Sequence, residues 1–311
     1  MMKIIAVVGA TATGKSGLSV KLAKALDGEI ISGDSAQVYR GMDIGTAKIR
    51  GDEMQGIPHH LIDILDIEEP FSAGLFAELG AKAAEDIVSR GKLPIIAGGT
   101  GLYVDALTGK SRLSPTADSD PAVRNELMEK ARVEGAQSLH AYLASIDPAA
   151  ASEIHPNNVK RVARAIEIFL VTGKTKTELN STYTAESPYD RLLLLLDCPD
   201  RELLYDRIEE RVDIMLEEGL EAEAYSLWQR GLGNTPTASA AIGYKELFPY
   251  FEGQISFAEA VAQIKQATRN YAKRQITYFK RMEGSYPIDI RQGKDTVYKT
   301  ALDKCFEFLE K

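Results

Sequence analysis

Cysteine is almost absent: Cys198 and Cys305 are the only two in 311 residues. Thiols so few and so far apart exclude a disulfide framework and a thiolate metal centre, and a reducing compartment is expected. Long apolar runs are missing as well. No stretch approaches the roughly 20 apolar residues that a membrane span requires. The opening Met1–Val8 run carries one basic residue and enters a glycine turn rather than a cleavage site, so it is not read as a signal peptide. Cations are the minority charge, 37 Lys and Arg against 45 Asp and Glu, a formal −8. That balance excludes indiscriminate nucleic-acid binding, which needs a broad positive surface, but leaves room for a focused basic groove. There are no internal repeats or low-complexity tracts. At 44% hydrophobic and 26% charged residues, collagen-like, coiled-coil and wholly disordered chains are excluded. A soluble cytoplasmic protein is expected, without a membrane partner, and long enough for one large domain or two smaller ones.

What is present is alternation. Ile4–Val8 is a short β-branched run meeting Gly9, and Lys15–Leu26 has helical periodicity, which predicts a strand, a glycine turn and a helix. Glu29–Ser32, Leu93–Ala97 and Leu192–Asp197 predict three more strands, and Leu75–Arg90 an amphipathic helix stopped by Gly91. The unbroken Leu192–Asp197 run suits a strand buried on both faces of a parallel sheet. The fold class is therefore α/β, a parallel sheet flanked by helices with right-handed crossovers. Almost a hundred residues between the third and fourth strands carry no convincing strand. Asp120–Glu134, Ala136–Ile146, Val159–Thr172 and Lys174–Asn180 read as helices instead. An all-helical insertion is expected at 112–188, bounded by Ser-, Pro- and Asp-rich stretches at 111–120 and 185–190, with the α/β core at 1–111 and 189–311. After Asp197 the chain is expected to be helical almost throughout.

Gly9, Ala10, Thr11, Ala12, Thr13, Gly14, Lys15 and Ser16 fit G-x-x-x-x-G-K-[ST] between a strand and a helix. In such a loop, backbone N–H groups turn inward around phosphate oxygens. The helix N-terminus and Lys15 add positive charge, and the Ser16 hydroxyl is placed to ligate Mg²⁺. The loop binds phosphates without saying whose. Asp197 is either a strand-end group for the Mg²⁺ shell or a cap on the helix that follows. Asp34 follows the second strand, so it faces the crevice at the carboxyl ends of the strands, where parallel sheets bind ligands. There it can accept a proton from an attacking nucleophile, or it can cap a helix or form a turn.

Positive charge is concentrated in Ser256–Glu283. Lys265, Arg269, Lys273, Arg274, Lys280 and Arg281 stand against Glu259 and Glu283, a local net of +4. Their spacing gathers charge on one helix face, while Phe257, Val261, Ile264, Tyr271 and Phe279 read as core. Lys160, Arg161 and Arg164 form a second cluster on the insertion. Two basic clusters on separate elements suit a clamp on an RNA stem-loop.

These residues resemble the tRNA dimethylallyltransferase (tRNA isopentenyltransferase) family over nearly the whole chain. The resemblance rests on GATATGKS at 9–16, ISGDSAQVYRGMDIGTAK at 31–48, PHHLID at 58–63 and AGGTGLY at 97–103. It continues through HPNNVKRVARAIEI at 155–168, RIEERVDIML at 207–216, AIGYKE at 241–246 and TRNYAKRQITYFKR at 268–281. It implies a P-loop NTPase-like fold and transfer of a dimethylallyl group from dimethylallyl diphosphate. The acceptor would be N6 of the adenosine at tRNA position 37, beside the anticodon, with release of diphosphate. It further implies Lys15, Ser16 with Mg²⁺, and Arg211 at the diphosphate, and Asp34 as acceptor of the amino proton. A flipped-out adenine would enter a channel between core and insertion. On the tRNA side the resemblance implies Asp34, Ser35, Ala36 and Gln37, with Thr100 and Arg124. To these it adds Lys160, Arg161, Val162, Ala163 and Arg164, then Ala240, Ala241, Ile242, Gly243, Tyr244 and Lys245. The last set is Lys273, Arg274, Gln275, Ile276, Thr277, Tyr278, Phe279 and Lys280. The short form resembles the bacterial members, without the C-terminal zinc finger of eukaryotic ones, and a monomer is expected.

Three rivals compete. A small-molecule or nucleotide kinase shares the P-loop but leaves the basic helix and the insertion unexplained. An RNA-binding switch leaves Asp34 without work. An adenylate isopentenyltransferase acting on free nucleotide would not need two basic clusters. His59-His60 has no third metal ligand at suitable spacing, so a structural or substrate-loop role is expected.

Overall fold

The structure is a computed structural model describing residues 1–109, 120–182 and 187–311. Six strands form one sheet: β1 (Met2–Gly9), β2 (Gly28–Ser32), β3 (His59–His60), β4 (Leu93–Gly98), β5 (Tyr189–Asp197) and β6 (Ser285–Asp289). Their order is β3-β2-β4-β1-β5-β6, and every neighbouring pair is parallel. Helices α1 (Lys15–Ala25), α2 (Ala73–Ser89) and α3 (Gly101–Leu107) accompany the first four strands. Five more lie in the insertion: α4 (Pro121–Glu134), α5 (Ala136–Ile146), α6 (Pro148–Glu153), α7 (Val159–Thr172) and α8 (Lys176–Thr182). After β5 come α9 (Arg201–Glu217), α10 (Leu220–Gln229), α11 (Phe248–Phe251), α12 (Phe257–Phe279) and α13 (Lys294–Leu309).

Because strand side chains alternate, β1 feeds two cores. Ile4, Ala6 and Val8 pack with Ile31, Ile96, Leu193 and Leu195 against Phe76 of α2, Val104 of α3 and Ile264 of α12. Ile5 and Val7 pack with Ile30, Ile95, Leu194 and Leu196 against Leu18 and Leu22 of α1 and Ala301 of α13. The leucine run of β5 thus serves both faces, as its lack of alternation predicts. β1 lies centrally, and the loops after β1, β2 and β4 all emerge at the carboxyl edge.

Two strands depart from the expectation. The region after Asp197 is not helical throughout, because Ser285–Asp289 adds β6 at the sheet edge. Pro287 within it obscures the strand pattern, and only an edge tolerates its missing donor. His59-His60 forms the short edge strand β3 beside β2.

The chain divides into two compact units, Met1–Thr108 with Ser187–Lys311, and Gly109–Glu186. The second is helical around Leu127, Leu139, Leu143, Val162 and Ile166. Much of the Ser/Pro/Asp-rich stretches at 111–120 and 185–190 lies outside the described residues. No helix among the described residues is long and apolar enough to cross a membrane.

Candidate active site

The glycine turn after β1 is forced by close packing. Gly9 has φ +154°, and a Cβ there would lie 2.6 Å from the Leu196 carbonyl oxygen. Gly14 takes a left-handed φ of +89° and ends the loop as the N-cap of α1 without a side-chain cap. The first N–H groups of α1 are therefore left for an anion. Thr13 Oγ1 braces the turn by donating to Ala10 O at 2.8 Å, and Lys15 Nζ folds back onto the same oxygen at 2.7 Å. Burial lowers Lys15 to about 7, helped by the Arg211 charge and opposed by Asp34. Among the described residues Ser16 Oγ makes no hydrogen bond.

Glycines also bring the β2 and β4 ends together. A Cβ on Gly98 would lie 2.2 Å from Gly33 O. The contact lets Thr100 N donate to Gly33 O at 3.2 Å, which sets Thr100 beside the turn that carries Asp34. Asp34 Oδ1 accepts from Ala36 N at 2.9 Å and Gln37 N at 3.4 Å, a turn-forming role. No hydrogen bond involves Oδ2 among the described residues. Thr100 Oγ1 is buried and meets no partner at hydrogen-bond geometry among the described residues, although the Tyr271 hydroxyl is near enough to feel it.

Two cavities in this unit meet at Thr11, Asp34, Thr46, Arg211, Met215 and Tyr271, which line both. One, of about 750 Å³, is floored by Ala12, Gly14, Lys15 and Ser16, and Gln37 and Gln275 also line it. The other, of about 400 Å³, is walled by Tyr39, Phe71, Tyr103, Ile208, Val212 and Ile264. Ser35, Ala36, Ala240, Ala241, Ile242, Gly243, Lys245 and Arg274 line it too. Arg211 on α9 has no hydrogen bond or ion pair among the described residues. Burial lowers its pKa against the pull of Asp34 and Glu53. Burial and the Asp34 charge push Tyr271 up to about 12, so its hydroxyl stays a donor.

Of the other expected residues, Gly9, Ala10, Thr13, Thr100, Tyr244, Lys273, Ile276, Thr277, Tyr278, Phe279 and Lys280 line neither cavity. Tyr244 and Phe279 are buried and act as packing. Tyr278 donates to Asp105 at 2.9 Å. The cap of α9 is Asp200, which accepts from Glu202 N and Leu203 N, and not Asp197. The basic stripe of α12 divides: Lys265 pairs with Asp213 and Arg269 with Glu209, while Lys273 lies over the Tyr205 ring. In the helical unit, Arg124 and Arg164 both clamp the buried Glu167. Val162 and Ala163 are buried in its core, while Lys160 and Arg161 are exposed.

One organising residue has no sequence signal. Glu223 sits on the ordinary acidic face of α10, yet its carboxylate accepts from the backbone N–H groups of Asp43 (3.1 Å), Ile44 (2.9 Å) and Gly45 (3.0 Å). The Tyr244 hydroxyl donates to it as well, at 2.8 Å. It thereby pins the 43–46 loop, which lines both cavities. Gly45 has to be glycine, because a Cβ would lie 2.5 Å from the Tyr244 ring.

A family model described as IPP transferase matches residues 37–282. The tRNA dimethylallyltransferase of Geobacillus thermodenitrificans is 50% identical over 89% of this chain and 87% of its own length. That of Bacillus subtilis is 44% identical over 95% of both. The tRNA isopentenylpyrophosphate transferase of Bacillus halodurans has a solved structure with a TM-score of 0.74 and 44% identity, over 100% of this chain and 97% of that one. A eukaryotic dimethylallyltransferase crystallised acting on tRNA gives a TM-score of 0.80 at 32% identity, over 93% and 74%.

Proposed function

The chain belongs to the IPP transferase family, and from that premise we propose that it prenylates tRNA, moving the dimethylallyl group of dimethylallyl diphosphate to N6 of adenosine 37. The observation that carries this reading is the meeting of two cavities at Asp34 and Arg211, one floored by a phosphate loop and the other lined by aromatic and aliphatic side chains. The diphosphate lies on the loop, against the N–H groups of α1 and Lys15. The adenine enters from the opposite cavity, lifted out of its stack. The N6 lone pair forms a bond to the allylic C1 as the C1–O bond breaks, and the diphosphate leaves with the bonding electrons. Arg211 and Lys15 balance the charge that develops on the leaving oxygens. Asp34 Oδ2, free of other hydrogen bonds among the described residues, accepts the proton that N6 sheds.

Mg²⁺ fits the site through Ser16, whose hydroxyl makes no hydrogen bond among the described residues and lies on the floor of the phosphate-loop cavity. Mg²⁺ usually keeps several waters and takes few protein oxygens beside substrate phosphates, and in a phosphate loop the Ser hydroxyl is one of them. Bound there, it would offset charge on the diphosphate. Lys273 and Arg274 on α12 bind phosphates of the tRNA; on the helical unit, taken by itself, the exposed Lys160 and Arg161 offer the same chemistry.

The test is label transfer from dimethylallyl diphosphate to unmodified tRNA with Mg²⁺, beside free AMP and beside ATP with nucleoside monophosphates. Label in the adenosine next to the anticodon supports the reading. Label on AMP makes the protein a nucleotide prenyltransferase. Phosphoryl transfer alone makes it a kinase.

A further inference from the structure

Gln275 stands in the basic stretch of α12, between Arg274, which lines the aromatic cavity, and Ile276, yet its side chain does not face that cavity. It is 6% exposed and reaches the phosphate-loop cavity. Its Oε1 accepts from Thr11 N at 2.9 Å, and its Nε2 donates to Gly99 O at 2.9 Å. Both ends of one amide are therefore spent on backbone, one on the phosphate loop and one on the loop after β4. The fit is close on the other side too, since a Cβ on Gly99 would lie 2.3 Å from Gln275 Nε2. A glutamine that serves as donor at one backbone group and acceptor at the other cannot be replaced by Glu, which offers no donor to Gly99 O.

We infer that Gln275 is a positioning residue for the diphosphate, holding the phosphate loop in its binding conformation, rather than a contact to RNA. The inference rests on the functional reading above for the identity of the substrate, but its first test does not. Inorganic diphosphate binding, measured by calorimetry on wild type and Gln275→Met, isolates the loop. Met keeps the length and apolar bulk but leaves Thr11 N–H without its partner. Binding is expected to weaken about tenfold. Gly99→Ala is the second variant, pushing the amide away from the opposite side with the same expected result should Gln275→Met not fold. Glu at 275 is expected not to rescue.

Steady-state transfer then separates the alternatives: KM for dimethylallyl diphosphate rises about tenfold, while tRNA affinity stays within about twofold. A merely structural role would weaken both together with the melting temperature, and would overturn the inference. Weakened tRNA binding with unchanged diphosphate binding would also overturn it and put Gln275 on the RNA. Wild-type failure to transfer the prenyl group at all would count against the functional reading, while the diphosphate comparison would still judge Gln275.

Discussion

The two ends of β2 both hold charge away from open solvent, fully buried at one end and half-buried at the other, and they treat it in opposite ways. At the amino end Glu29 is 1% exposed and fully partnered. Arg90 donates through both terminal guanidinium nitrogens, one to each carboxylate oxygen, and His60 Nε2 lies 2.7 Å from Oε2, which it shares with Arg90. The Arg90 hydrogen bonds, working against burial, hold its carboxyl down to about 2. At the carboxyl end Lys15 is lowered to about 7 by burial, and among the described residues Arg211 makes no ion pair and one oxygen of Asp34 is unengaged. A buried charge whose partners are complete is scaffold. Half-buried charges left incomplete around a shared space await a ligand, and that difference marks the site more sharply than the motif does.

Removing groups at either end of β2 separates the two roles. Arg211→Ala should lower kcat/KM by about 10²–10³, measured by label transfer, because a preorganised charge at the leaving group is lost. Next is the division of the α12 cations. Lys273→Ala with Arg274→Ala should weaken tRNA binding and reduce the slope of log K against log salt by about 1–2, whereas Lys265→Ala with Arg269→Ala should change it less. Asp213 and Glu209 already neutralise the second pair. Arg90→Ala should lower the melting temperature by about 5 °C yet leave turnover at 25 °C unchanged. The sign with pH follows from the depressed carboxyl. The stabilisation from Glu29 is complete above its ordinary value of 4.5 and is lost as the pH falls towards 2.

The smallest effect is a proton count. Lys15 sits near 7 in the free protein, and a bound diphosphate raises it. Calorimetry at pH 8 in buffers of different ionisation enthalpy should therefore detect proton uptake on diphosphate binding that Lys15→Met abolishes. At pH 6 the lysine is already charged and its share of the uptake vanishes.

How much of this was readable in the residues varied with how local the cause was. The phosphate loop and Asp34 were legible, because a strand, a glycine turn and a helix constrain their own backbone and the parallel sheet fixes which edge they share. The charge stripe on α12 was legible as spacing but not as function. Lys265 and Arg269 are cancelled by acids of α9, more than fifty residues away in sequence. Arg211 came from family resemblance, since nothing near it in sequence shows that α9 turns that side chain towards Asp34. Strand β6 was hidden by Pro287. Glu223 and Gln275 were invisible as organisers because their partners are backbone groups of distant loops, and no side-chain pattern records a backbone hydrogen bond.

The most direct test of the account is a single-turnover comparison of wild type with Asp34→Asn, with tRNA and diphosphate affinities measured on the same preparations. The account predicts that both affinities stay within about threefold, while the chemical step slows by about 10²–10⁴, the loss of a proton acceptor at the junction of the two cavities. A chemical step slowed less than about tenfold, with both substrates bound, would contradict it.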